Sequence, residues 1–175
     1  MKVNGFEIRE ALKRWELRRK TADHQFRDSL HRFEGEDKLS PDQVLATFQQ
    51  ADENYAKLQE LQQWFNHQVK CKVGGEEQTL SYCVKVIGGV GRVEKLWREA
   101  AAQKRDRWNR YDQDLTRNKD TEYAQRAITV GEATKRAEQA AKRASQVRTA
   151  IAVGNATSVD VSEVLTSTQY EALFS

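Results

Sequence analysis

Three glycines within four positions, Gly88, Gly89 and Gly91, followed by Arg92 and Lys95, have the composition of a loop that cradles a phosphate. Such a loop needs a buried strand before it and a helix opening after it, so that backbone N–H groups point at the anion. Here apolar residues at helical spacing run straight through the glycines: Leu80, Cys83, Ile87 and Val90, then Trp97 and Ala101 in the same phase. The three are therefore read as helix-packing glycines inside a long helix. Each costs about 1 kcal/mol relative to alanine, a cost that close approach of a neighbouring helix offsets.

A second stretch combines cations and rings. Arg98, Lys104, Arg105, Arg107 and Arg110 alternate with Trp97, Trp108 and Tyr111, and guanidinium beside an aromatic face is a combination that holds phosphates and stacks bases. Arg98, Lys104, Arg105, Arg107, Trp108, Arg110 and Tyr111 are thus a candidate site for an anionic small molecule such as a nucleotide. With Arg14, Arg18 and Arg19 added, the same face becomes a candidate RNA or DNA surface whose affinity falls steeply with salt. The competing reading makes the aromatics core residues of a long helix and the arginines its solvated flank.

Other chemistry is sparse. His24, Asp28 and His31 share one helix face but have no matching His or Cys cluster, so a solvated face is the better reading and no metal is expected. Cys71 and Cys83 lie too far apart for a Cys-x-x-Cys pair and read as reduced structural thiols. No Ser-His-Asp, Glu-x-x-His or paired-carboxylate pattern stands out, so the expectation is a protein with no catalytic residues and no cofactor.

Composition fits long helices that each bury one stripe. The chain has 175 residues, a formal net charge of +3, 31% charged and 38% hydrophobic residues, a mean hydropathy of −0.83 and one proline. No apolar run approaches the roughly 18 residues of a spanning helix, and the N-terminus lacks a signal-peptide core, so a cytoplasmic protein without a membrane partner is expected. Charge is uneven: residues 1 to 33 and 92 to 110 are basic, whereas residues 34 to 78 are acidic. That pattern suits a basic face beside an acidic one, or self-association.

Alternating three- and four-residue apolar spacing recurs four times. It predicts helices at about 4–33, 41–67, 82–117 and 128–153. Ser40-Pro41-Asp42-Gln43 is a capping box with a first-turn proline. Two β-capable runs flank Gly74-Gly75 and predict a hairpin, with Ser81 as the next N-cap. Gly154-Asn155 reads as the stop of the fourth helix. The fold class is all-α: an elongated antiparallel four-helix bundle, or coiled-coil hairpins, with a small β-hairpin between helices 2 and 3. It forms a single domain over 1–161, followed by a tail, 162–175, containing one or two helical turns.

The hairpin-to-helix joint "GGEEQTLSYCVKVIGGV" and the helix exit "RTAIAVGNATSVDV" are similar to the corresponding joints of a family of small bacterial helical proteins, some of which carry the label septicolysin. The matching positions are Gly75, Thr79, Leu80, Ser81, Asn155, Thr157 and Asp160. The resemblance spans most of residues 5 to 161 in element order, and the glycine cluster and the tail depart from it. It implies an antiparallel bundle assembled into a ring, a hexamer, and supplies no catalytic residues. The expectation is a non-enzymatic homo-oligomeric binding or scaffold protein of bacterial or phage origin. Sequestration of an anionic ligand at subunit interfaces and nucleic-acid binding are the alternatives.

Overall fold

The computed structural model describes residues 1–31, 36, 39–102 and 127–175. In chain order these form β1 (Lys2–Val3), α1 (Gly5–Ser29), α2 (Pro41–Gln68), β2 (Lys70–Val73), β3 (Glu76–Thr79), α3 (Leu80–Ala102), α4 (Val130–Ala156), β4 (Val159–Asp160) and α5 (Ser167–Phe174).

Side-chain caps fix the helix starts. Asn4 accepts from the backbone N–H groups of Phe6 and Glu7 while Glu7 reaches back to the Asn4 N–H. The same reciprocal box joins Ser40 to Gln43, Thr129 to Glu132 and Thr166 to Gln169. Helix α3 starts two residues earlier than Ser81 as N-cap would set it. Its first turn is capped by Thr79, the last residue of β3, whose hydroxyl accepts from the Tyr82 N–H at 3.1 Å.

The β2–β3 hairpin turns through Gly74 (φ 62°) and Gly75 (φ 93°), the only positive-φ residues among those described. A left-handed pair of this kind matches the twist of the flanking strands, and glycine adopts it without a Cβ penalty. Leu80 N–H donates to the Val69 carbonyl at 2.9 Å and closes the hairpin base. Strand β1 pairs antiparallel with β4, Lys2 opposite Asp160 and Val3 opposite Val159, so the first residues lie beside the end of α4.

Helix α1 packs along α2 and α3 along α4, whereas the two hairpins touch each other only briefly. The largest buried side chains explain where. Ile8 and Trp15 of α1, Leu58 and Phe65 of α2, Leu80 and Cys83 of α3, and Val147 and Ala150 of α4 join Val69, Cys71, Val161 and Leu173 in one cluster. The start of α1, the end of α2, the start of α3 and the end of α4 therefore share one hub, with both sheets against it. The hairpins leave the hub as two arms held by a single seam each. At 25 residues α1 alone is about 38 Å long.

Three sequence expectations change. Helix 1 ends at Ser29 and not at 33. Helix 3 begins at Leu80 and is described to Ala102, so its expected course to 117 lies outside the described residues. Gly154 does not stop α4, which continues to Ala156 and is capped by Thr157. A Cβ on Gly154 would stand 2.7 Å from Cys71 Sγ and 3.1 Å from Leu80 Cδ1, so this glycine lets the helix lie against the hairpin. Gly5 does the same at the opposite face, where a Cβ would overlap the Asn155 side chain. The tail packs on the domain: Trp15 Nε1 donates to the Leu173 carbonyl at 2.9 Å, and Leu173 is 1% exposed.

Candidate functional site

Of the seven sequence-predicted ligand residues, only Arg98 lies within the described structure. Lys104, Arg105, Arg107, Trp108, Arg110 and Tyr111 fall outside the described residues. Arg98 Nη2 sits 2.7 Å from Glu94 Oε1, and Arg148 of α4 approaches the other carboxylate oxygen at 3.7 Å. This pairing explains why an acid interrupts the apolar seam: Glu94, largely buried, ties α3 to α4. Beside it, Arg136 of α4 lies over the Trp97 ring at 4.8 Å. The Trp97 ring and the Arg136 and Arg148 guanidiniums hold the two helices together, whereas Arg98 pairs within α3.

The proposed nucleic-acid cations on α1 are likewise engaged. Arg14 donates to the Phe174 and Ser175 carbonyls at 2.8 and 3.2 Å. Arg18 stacks on Trp15 at 4.4 Å, while Arg19 pairs with Asp52 at 2.9 Å and lies over Tyr55 at 4.7 Å. His24 and Asp28 are exposed on α1, and among the described residues no group of three or more His, Cys, Asp or Glu side chains could hold a metal ion. Burial pushes the Cys71 thiol up, and the neighbouring Cys83 adds to the shift. A raised thiol is a poor nucleophile at neutral pH. An open groove of about 530 Å³ between the hairpin and α4 carries Lys70 and Lys72 at its rim and apolar Ala150 and Val153 along its side. No helix among the described residues is long and apolar enough to cross a membrane.

Among the described residues, an exposed apolar face lies on α3. Its seam toward α4 is Leu80, Cys83, Ile87, Val90, Glu94, Trp97 and Ala101. About 100° further round the helix, Tyr82, Val86, Gly89, Val93, Leu96 and Ala100 repeat the same four-three spacing. This second seam was missed because the first absorbed the apolar pattern; the signal was there in a shifted phase. Tyr82 is 49% exposed, Val93 47% and Leu96 64%, whereas Val86 is half-buried with one side against the hub. Among the described residues, a Cβ built on Gly89 or Gly91 meets no atom within 4 Å, and one on Gly88 meets the Arg92 guanidinium at 3.7 Å. Gly88, Gly89 and Gly91 are helical as expected, but within the described chain they pack against no other helix. The glycines that do are Gly5 and Gly154.

The fold has a solved counterpart. A crystal structure of a functionally unknown conserved protein from Corynebacterium diphtheriae is similar to this chain with a TM-score of 0.60, at 18% sequence identity, over 91% of this chain and 100% of that one. At that identity the likeness is one of fold. No family model and no curated protein matches the sequence.

Proposed function

We propose that the chain is a non-enzymatic helical protein that acts as an assembly of its own copies, a scaffold or binding platform of bacterial or phage origin working in the cytoplasm. The observation that carries the reading is the second seam of α3. A helix with two heptad seams about 100° apart has residues for two neighbours, and among the described elements α4 covers one seam along its length while α2 and the hairpin reach α3 only in part. Leaving Tyr82, Val93 and Leu96 in water forgoes burial that stabilises by about 1.5–3 kcal/mol per large apolar side chain. Helix interfaces between subunits recover that free energy. The hexamer that the septicolysin resemblance implies is reached when three pairs of copies surround a three-fold axis.

Light scattering coupled to size exclusion, over a range of protein concentrations, tests this reading. The natural chain is expected to elute as a multiple of its 20.2 kDa mass, and Leu96→Glu is expected to run at lower mass with the same helical circular dichroism. A natural chain that stays monomeric at every concentration would sink the reading.

A further inference from the structure

The second seam of α3 is complementary to itself. Its spacing, four-three-four-three-four, reads the same in both directions, so an antiparallel copy presents the same ladder. Placed about a two-fold axis, Tyr82 faces Ala100 of the second copy, Val86 faces Leu96, and Gly89 faces Val93. Each layer sets a larger side chain against a smaller one, and the symmetry repeats every layer once. The bare Gly89 backbone, with open space where a Cβ would stand, lets the two helices approach closely at the centre.

Charge agrees with this register. The positions flanking the seam on its outer side are Lys85, Arg92 and Glu99, all exposed. In an antiparallel helix pair such flanking positions meet their own kind across the interface, which puts Lys85 beside Glu99 of the second copy, twice. Among the described residues Glu99 makes a long contact to Lys95, at 3.7 Å. Arg92 falls beside its own copy at the axis, the one like-charge contact of the face.

We infer that α3 is an interface helix that pairs antiparallel with α3 of a second copy, through Tyr82, Val86, Gly89, Val93 and Leu96, with two reciprocal Lys85–Glu99 contacts setting the register. The inference rests on the self-assembly reading above and adds the surface, the symmetry and the pairing.

The test is sedimentation equilibrium on the natural chain and on Lys85→Glu, Glu99→Lys, the Lys85→Glu/Glu99→Lys double variant and Arg92→Gln. All three positions are exposed, so the subunit fold is expected to survive. Each single reversal turns two attractions into two repulsions and is expected to weaken the dimer on the order of tenfold. The double variant restores opposite charges and is expected to return to the natural affinity, while Arg92→Gln tightens the dimer several-fold. Suppose instead that Glu99→Lys tightens assembly while Lys85→Glu weakens it. The receiving surface is then an acidic one elsewhere, such as α2, and the two-fold pairing is overturned although self-assembly stands. A double variant that assembles no better than the singles also overturns the pairing alone. A monomeric natural chain removes both readings.

Discussion

Glycine has opposite meanings at two places in this chain, and alanine substitution separates them. At Gly154 an added Cβ would collide with Cys71 Sγ and Leu80 Cδ1 inside the hub, so Gly154→Ala is expected to destabilise the fold by about 1–3 kcal/mol, as overpacking does. At Gly91, on the face of α3 away from the second seam, the same change meets open space and is expected to stabilise by up to about 1 kcal/mol through helix propensity. Thermal unfolding of the two variants reads both signs. The sequence made all of these residues visible as glycines, but only three-dimensional neighbours distinguish a packing glycine from an open one. That is why the cluster at 88–91 drew attention and Gly154 was read as a helix stop. Asp160 adds a pH signature. Ser162 Oγ and the Ser162 N–H donate to its carboxylate, with the terminal ammonium of Met1 beside it, and together they lower it to about 2. Because its folded value lies below the ordinary 3.8, the ionised group favours the folded state at neutral pH, and that contribution disappears as pH falls from about 4 toward 2. Melting temperatures of Asp160→Asn against the natural chain are expected to differ at pH 7 and to converge at the acid end.

At the scale of elements, period and capping did most of the work. The helix cores, the Ser40 box and the Gly74-Gly75 hairpin were all legible, because heptad spacing and left-handed turn chemistry are local. The boxes at Asn4, Thr129 and Thr166 carry the same signature and were equally available. The seat of α5 was not legible, since it depends on a side chain far away in sequence: Trp15 holds the Leu173 carbonyl across 158 positions, and Arg14 holds the next carbonyl. Trp15→Phe keeps most of the ring burial and removes that donor. It is expected to cost about 1 kcal/mol and to release α5 before the rest unfolds, seen as faster hydrogen exchange at residues 167–174 with little change in α2 or α4. The candidate site shows the same division. The cations of α1 and Arg98 were visible as charges, whereas their commitment to Asp52, Glu94 and the last carbonyls follows only from how the helices pair.

At the scale of the whole molecule, everything converges on the hub, and the arms depend on it. Beyond it the α1–α2 arm is held by a seam reinforced by the clamp of Arg19 on Asp52 and Tyr55. The α3–α4 arm is held by small residues, Ala133, Ala137 and Ala144, with Glu94 and Trp97 gripped from across. The second arm also carries the exposed apolar face, so assembly through it leaves the first arm available to other contacts. Closure of the hub has a consequence for how the molecule is made. Val161 and Leu173 are nearly inaccessible in the hub, yet they leave the ribosome long after Val3 and Trp15, which they help to cover. An α1–α2 hairpin can form early from neighbouring sequence, but its apolar end stays uncapped until the last element is synthesised. During that interval the nascent chain offers a sticky end that the finished protein conceals.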